Sequence, residues 1–232
     1  MERARRPLVS SADLRAPRTP VRSSSLSRSR TNRWQNREEP GPGQGTLYWH
    51  ILVGNHPAAR DLAHTAQKRL ADFHGLHMTP PEWLHITTLV AGSTDEITTE
   101  QQQDMLAAAS ELLAEIPPVD VTLGRIFYHP EAIASEVQPA GHLRQVRKAV
   151  QTATLKVTNR EGHTEGPAQW TPHMTLAYSE TEQPAEPLIT ALGRELPTSE
   201  FTINAVTLVV QQGSERLWDW RPVGQAPFLG SR

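Results

Sequence analysis

Two short stretches of this chain place a histidine and a threonine two residues apart at the start of an apolar run. They are His85-Ile86-Thr87 and His173-Met174-Thr175. Because side chains along a β-strand alternate between faces, residues two apart point the same way. Each stretch would therefore present an imidazole and a hydroxyl on one sheet face. If the two strands faced each other across a cleft, two imidazoles and two hydroxyls would converge on one ligand.

Such a set of side chains suits phosphodiester chemistry. One imidazole can take a proton from an attacking water or hydroxyl while the other gives a proton to the leaving oxygen. The hydroxyls can hold the non-bridging phosphate oxygens. We therefore predict that the catalytic residues are His85, Thr87, His173 and Thr175.

A single His-x-Thr is a weak signal in a chain with 10 histidines. A third copy, His77-Met78-Thr79, precedes Pro80-Pro81, which cannot continue a central strand, and we interpret it as coincidence. For His85 and His173 two alternatives stay open, namely histidines that serve packing and histidines that bind a metal. Zinc ligands usually lie at i, i+4 on a helix or among carboxylates, and neither histidine has an acidic residue within two positions. We predict neither a metal nor a cofactor.

Several other side chains are candidates for substrate binding. Trp170 can stack a base at the cleft rim or belong to the core. His50 contacts ligand if the first strand borders the cleft, and is otherwise a hydrogen-bonded interior histidine. Tyr178, three residues beyond Thr175, falls on the opposite strand face by parity and is expected in the core. The cations that can steer a phosphate are Arg125, Lys156 and Arg216.

The charge distribution separates the first 44 residues from the rest. Residues 1–44 carry ten arginines and four acidic residues, a formal charge of +6, whereas the remainder carries 13 basic and 21 acidic residues, a formal charge of −8. An acidic folded part argues against a broad nucleic-acid-binding surface, although one phosphate pocket needs no such surface.

The absence of cysteine excludes disulfides, thiol catalysis and Cys-ligated zinc. No apolar run is long enough to span a membrane, and we expect a soluble, cytoplasmic monomer.

The two ends of the chain are predicted to be tails. Residues 1–44 are rich in Arg, Ser and Pro and poor in large apolar side chains, so we predict that they are disordered. A solvated tail or a mis-assigned start, a basic arm that gathers RNA, and a transit peptide stay open. Residues 223–232 are predicted to be a C-terminal tail.

Between these tails one order of elements occurs twice. The first half predicts a strand, a helix, the first His-x-Thr strand, a helix and a strand, and the second half repeats the order and adds one strand. We therefore predict two lobes, residues 46–128 and 131–222, within one domain of residues 45–222. The predicted strands are 46–54, 84–91, 119–128, 132–137 and 173–178, with a closing hairpin of 201–211 and 215–220. The predicted helices are 57–74, 98–115, 140–158 and 187–196.

The chain resembles the 2H phosphoesterase superfamily, and within it the bacterial 2′-5′ RNA ligase / RNA 2′,3′-cyclic phosphodiesterase family. The resemblance rests on the two His-x-Thr motifs, each followed by apolar residues, and extends over residues 46–222. It implies an α+β fold with two lobes, whose mainly antiparallel sheets face a central cleft and whose helices lie outside. It also implies metal-independent hydrolysis of a 2′,3′-cyclic phosphate to a 2′-phosphate, with reversible 2′-5′ RNA ligation in some members.

Three functions remain open at this point. The first is hydrolysis of a 2′,3′-cyclic phosphate at an RNA end or on a nucleotide. The second is hydrolysis of a small cyclic phosphate that is not RNA, and the third is a catalytically silent nucleotide- or RNA-binding module. Two intact His-x-Thr motifs speak against the third, because a silent cleft has no physical need for two titrating imidazoles.

Overall fold

The computed structural model describes residues 29–35, 37, 39–164 and 170–231. Within these residues the chain forms an α+β fold of eleven strands and four α-helices. The strands are β1 (Ser29–Arg30), β2 (Gly45–Leu52), β3 (Leu76–Met78), β4 (His85–Ser93), β5 (Val119–His129), β6 (Ala132–Glu136), β7 (His173–Ser179), β8 (Gln183–Pro184), β9 (Glu195–Ile203), β10 (Ala205–Gln212) and β11 (Arg221–Pro227). The helices are α1 (Pro57–Leu70), α2 (Thr99–Leu113), α3 (Ala140–Thr158) and α4 (Glu186–Leu192). None of the helices in these ranges is long and apolar enough to cross a membrane.

Two antiparallel sheets carry the His-x-Thr motifs. The first sheet has the order β11-β10-β2-β4, and the second has the order β3-β7-β6-β5-β9. His85 begins β4 and His173 begins β7. The run β10-β2-β4 in the first sheet corresponds to β5-β6-β7 in the second, so each motif occupies the equivalent strand of its sheet. The prediction of an α+β fold with mainly antiparallel sheets is confirmed.

The predicted boundary between two consecutive lobes, residues 46–128 and 131–222, does not hold. The first sheet combines β2 and β4 with the last two strands, while β5 joins the second sheet. Helix α1 packs against β9 and β7 of the second sheet, and α3 packs against β4 of the first. Each lobe therefore draws elements from both halves of the chain, because hydrophobic periodicity marks an element without marking the sheet on which it packs.

The main helices follow their sequence signals. Helix α1 begins at Pro57 and buries Leu62, Ala66 and Leu70, the apolar positions that the helical spacing predicts. At α2 the side chain of Thr98 accepts from the backbone N–H of Gln101, whose side chain in turn accepts from the N–H of Thr98. This capping box satisfies N–H groups that have no partner inside the helix.

Two corrections concern the C-terminal part of the chain. Helix α4 ends at Leu192, because Gly193 at φ 82° turns the chain out of the helix and β9 follows. The strand that pairs with β10 is β11 and not residues 215–220, so the predicted tail of residues 223–232 is wrong for residues 223–227. Strand β11 lies at the edge of its sheet, where a residue such as Pro222 is tolerated.

The prediction of disorder through residue 44 is wrong for residues 29–35. Strand β1 pairs with β8, and Arg30 is completely buried. Its guanidinium Nη1 donates to the carbonyl oxygens of His129 at 2.7 Å and Ala132 at 3.2 Å. Hydrogen bonds from a buried arginine are not visible in the hydropathy of a segment. The composition of residues 1–44 therefore predicted disorder where residues 29–35 are ordered. Residues 1–28 lie outside the described residues.

Candidate functional site

A cavity of about 1160 Å³ is lined by residues of both sheets. It brings together the four residues predicted to be catalytic, namely His85 and Thr87 from β4 and His173 and Thr175 from β7. The candidates His50, Arg125 and Trp170 line the same cavity, whereas Lys156 and Arg216 are not among its lining residues.

An extra residue follows the threonine of each motif. On β4, Thr87 pairs with His50 and Leu89 pairs with Trp49, so Thr88 has no counterpart on β2. On β7, Thr175 pairs with Ala134 and Ala177 pairs with Ile133, so Leu176 has no counterpart on β6. Both motif strands thus carry a β-bulge at the same place. A bulge bends its strand and increases the local twist, which is a common device beside active sites.

The bulge changes which side chains reach the cavity. Tyr178 lies three residues beyond Thr175, yet both line the cavity. The predicted placement of Tyr178 on the opposite face is therefore wrong, because one extra residue reverses the alternation of side chains. Val90, three residues beyond Thr87, joins Tyr178 in a small hydrophobic cluster between the sheets, here called the cleft cluster. Its members are Tyr48, Val90, Ala132, Tyr178, Val209, Trp218 and Trp220.

Both motif histidines are oriented by the same backbone contact. Nδ1 of His85 lies 2.7 Å from the carbonyl oxygen of Trp83, and Nδ1 of His173 lies 2.8 Å from that of Thr171. A carbonyl oxygen only accepts, so Nδ1 carries the hydrogen in both rings. In the neutral imidazole the lone pair is then on Nε2, which is the nitrogen that can exchange a proton with a substrate.

The turns before the motifs supply these carbonyl groups. A short 3-10 helix at Pro81–Trp83 ends just before β4. Before β7, Pro172 disfavours a helical conformation of Thr171, because the proline ring clashes with a helical residue ahead of it. In both places the chain enters the strand with the carbonyl two residues upstream placed against the histidine ring.

The surroundings of the two histidines differ. His85 is buried, and its ring centroid lies 4.3 Å from that of His50 and 4.7 Å from that of Trp220. His173 is only partly buried, and its ring meets Phe127 edge to face at 5.5 Å. The first motif is therefore enclosed by aromatic rings, whereas the second is more open to solvent.

His50 is a buried neighbour of His85 and lines the same cavity. Its Nδ1 makes no hydrogen bond within the part of the chain that the structure describes. Burial, and to a lesser degree the charge of a protonated His85, hold the pKa of His50 well below its ordinary value. His50 is therefore neutral at neutral pH.

Trp170 and Arg125 both line the cavity but are held differently. The ring nitrogen of Trp170 donates to the carbonyl oxygen of Thr87 at 3.1 Å, and the side chain is mostly buried. This bond joins the segment before the second motif to the strand of the first. Arg125 is largely exposed and forms an ion pair with Glu136 at 3.4 Å.

Sequence reasoning missed the two tryptophans near the end of the chain. Trp218 and Trp220 line the cavity, and Nε1 of Trp218 donates to Nε2 of His77 at 3.0 Å. His77 belongs to the third His-x-Thr copy, which lies on edge strand β3 and does not line the cavity. The spacing of Trp218 and Trp220, two apart, was a signal that both could face one side.

Acidic and histidine side chains are not gathered for a metal ion. Among the described residues no group of three or more His, Asp or Glu side chains is arranged to hold one.

Comparison with known proteins identifies relatives of the whole fold. A family model described as the 2′-5′ RNA ligase superfamily matches residues 56–215. No curated protein sequence matches the chain significantly. The crystal structure of TT0787 of Thermus thermophilus is 18% identical, with a TM-score of 0.61 over 81% of this chain and 100% of that chain. E. coli LigT complexed with 3′-AMP is 12% identical, with a TM-score of 0.58 over 80% of this chain and 98% of that chain. The MHV ns2 PDE domain is 12% identical, with a TM-score of 0.51 over 72% of this chain and 98% of that chain.

Proposed function

Because this chain belongs to the 2′-5′ RNA ligase superfamily of 2H phosphoesterases, we propose that it hydrolyses a 2′,3′-cyclic phosphate to a 2′-phosphate. Family membership supports a phosphoesterase-type enzyme. The observation that carries the finer proposal is the arrangement of the two motif histidines. They come from equivalent strands of two sheets and line one cavity. In each of them Nδ1 contacts the carbonyl oxygen of the residue two positions upstream.

The reaction needs one proton acceptor and one proton donor. Nε2 of one histidine takes a proton from water as the water oxygen bonds to phosphorus. The bond from phosphorus to the 3′ oxygen breaks, and the other histidine gives its Nε2 proton to that oxygen. The product carries a 2′-phosphate and a 3′-hydroxyl. Exchange of one proton between the two imidazoles and solvent restores the starting state.

The threonines act on the phosphate and not on the protons. A hydroxyl from Thr87 or Thr175 can donate to a non-bridging oxygen, whose negative charge grows as water attacks. Two donors on opposite sides of the cavity would also hold the phosphate between the imidazoles. Such positioning lowers the entropy cost of the reaction.

A nucleotide is the ligand class that the relatives and the cavity favour. Crystal structures of E. coli LigT hold 3′-AMP, ATP and NADP+. In this chain Tyr48, Trp218 and Trp220 line the cavity beside the first motif. Aromatic rings stack nucleobases with little sequence preference. These features support a nucleoside 2′,3′-cyclic phosphate as the minimal substrate.

The test is a hydrolysis assay that identifies the product. Purified protein in EDTA should convert 2′,3′-cyclic nucleotides to the 2′-phosphates, resolved from the 3′-phosphates by chromatography, because the proposed proton transfers need no metal ion. His85→Ala and His173→Ala should each lower kcat by about 10²-fold or more. His64→Ala, at an exposed position of α1 outside the cavity, is the matched control and should keep the activity. Release of the 3′-phosphate, or full activity of either motif variant, would contradict the proposal.

A further inference from the structure

A segment at the start of the described chain lies across one side of the cavity. It precedes the region that the family model matches, which begins at residue 56. The N–H of Thr31 donates to the carbonyl oxygen of Pro130, and the N–H of Arg33 donates to that of Ser179, both at 2.9 Å. These bonds fasten the segment to the second sheet. We call it the strap, and it consists of residues 29–35, Arg37 and Glu39.

The strap is anchored at Arg30. Its guanidinium is buried and donates to two carbonyl oxygens at the turn between β5 and β6. Burial lowers the pKa of Arg30 to about 10, which still leaves the side chain charged at neutral pH. Nε and Nη2 of Arg30 are buried without a hydrogen-bond partner among the described residues, so the two bonds of Nη1 are what fix this end of the strap to the second sheet.

The next part of the strap connects the second sheet to the first. Arg33 reaches Glu131, in the turn between β5 and β6, at 3.5 Å and Glu215, between β10 and β11, at 2.9 Å. Arg37 reaches the same two carboxylates at 3.1 Å and 3.9 Å. The side chain of Arg33 is only 8% exposed and lies 4.3 Å from the centre of the Tyr178 ring. Shielded ion pairs in a network of this kind are stronger than isolated surface pairs.

These ion pairs leave the cavity without excess positive charge. Its described lining contains four arginines and four glutamates, and no lysine or aspartate. Arg33 and Arg37 each face two glutamates, and Arg125 faces Glu136. Proteins that bind a nucleic-acid strand use uncompensated Lys and Arg to neutralise successive phosphates. The arginine and glutamate charges cancel, and the motif histidine that is protonated as the acid then adds one positive charge. One net positive charge suits a ligand with a single phosphodiester charge.

We propose that the strap is a specificity element that closes the cleft between Glu131 and Glu215 and limits the substrate to a cyclic mononucleotide. The polyanionic strand of an RNA that ends in a cyclic phosphate would meet a closed edge and a lining in which Arg33, Arg37 and Arg125 are already paired. A single nucleotide fits within a cavity of about 1160 Å³. This inference rests on the proposed hydrolysis of a 2′,3′-cyclic phosphate.

The test compares two substrates in one enzyme, 2′,3′-cyclic AMP and an oligonucleotide with the same cyclic end. For an oligonucleotide of about five residues, we expect kcat/KM of the wild-type protein to be at least about 10-fold lower than for the mononucleotide. In the double variant Arg33→Gln/Glu215→Gln the net charge is unchanged while the strap loses the 2.9 Å ion pair between Arg33 and Glu215. The preference for the mononucleotide should then fall by about 10-fold.

A control removes an arginine–glutamate ion pair of the same length, but more exposed, elsewhere. Arg160→Gln/Glu96→Gln breaks a 2.9 Å pair between residues that do not line the cavity, and it should leave the preference unchanged. Thermal unfolding shows whether the double strap variant is folded. If it is unfolded, the single variant Arg37→Gln takes its place, because it removes only the more exposed arginine of the strap. This variant should lower the preference for the mononucleotide by less than the roughly 10-fold expected of the double variant. Equal activity of the wild-type protein on both substrates, or a preference that the strap variants leave intact, would overturn the inference. If the wild-type protein cleaves neither substrate, the proposed function fails and the inference falls with it.

Discussion

At the residue scale, the two motif histidines share a tautomer but not an environment. Each donates Nδ1–H to the carbonyl two residues upstream, which fixes the ring and leaves the lone pair of the neutral imidazole on Nε2. In the first sheet the residue paired with Thr87 is His50, and its buried ring packs against His85. In the second sheet the residue paired with Thr175 is Ala134, which offers no such ring. The repeat is therefore symmetric in its backbone and asymmetric in the side chains around the imidazoles.

The low pKa of His50 predicts a stability that falls at acidic pH. In the folded protein His50 stays neutral, while in the unfolded chain it gains a proton near pH 6.5. Its contribution to stability is therefore complete above about pH 6.5 and decreases below it, by at most about 1.4 kcal/mol per pH unit. His50→Gln should flatten the fall in unfolding free energy between pH 7.5 and 5.5, measured by urea denaturation. The exposed control His64→Gln should keep the wild-type slope, and an unchanged slope in His50→Gln would contradict the prediction.

At the element scale, the bulged motif strands explain how the site is shaped. Thr88 and Leu176 are the extra residues, and both are fully buried. The hydroxyl of Thr88 donates at 2.7 Å to the carbonyl oxygen of Trp49, the strand neighbour of His50. The extra residue thereby adds a side-chain hydrogen bond between β4 and β2 next to the first motif.

Loss of this hydroxyl should destabilise the first sheet. Thr88→Val leaves a buried carbonyl oxygen of Trp49 without that donor, and we expect the unfolding free energy to fall by about 1–3 kcal/mol. Thr88→Ser keeps the hydroxyl and should lose clearly less. Chemical denaturation of the three proteins measures the difference, and equal stability of the Val variant and wild-type protein would rule out this role.

Periodicity predicted most elements but not the bulges. The helical spacing of Leu62, Ala66 and Leu70 and the capping residue Thr98 were sufficient to locate α1 and α2. A bulge adds one residue to a strand and needs no special residue type, since one strand here uses a threonine and the other a leucine. The face of Tyr178 could therefore not be predicted from the alternation of side chains.

At the scale of the whole molecule, the cavity depends on contacts between distant parts of the chain. The last two strands of the chain complete the first sheet, since β10 pairs with β2 and β11 pairs with β10. Trp218 and Trp220, which precede β11, enclose His85. Sequence patterns predicted that the motifs lie on equivalent strands, but not which sheet each helix covers. The strap was missed because ion pairs and buried arginine hydrogen bonds hold most of it, and its one aromatic side chain packed on the cleft cluster, Trp34, makes no periodic apolar pattern.

The proposal that one motif histidine is the acid and the other the base is tested by changing the leaving atom. In a 2′,3′-cyclic phosphate whose 3′ bridging oxygen is replaced by sulfur, the leaving group departs without a proton from the enzyme. Activity on this substrate should be largely restored in the variant that lacks the acid and should stay low in the variant that lacks the base.

The measurement is kcat on the sulfur-bridged and oxygen-bridged substrates for wild-type protein, His85→Ala and His173→Ala. We predict that the sulfur substrate raises kcat in one of the two variants by about 10²-fold relative to the oxygen substrate. The other variant should respond no more than the wild-type protein does. Equal restoration of both variants, or restoration of neither, would contradict the division of the two proton transfers between His85 and His173.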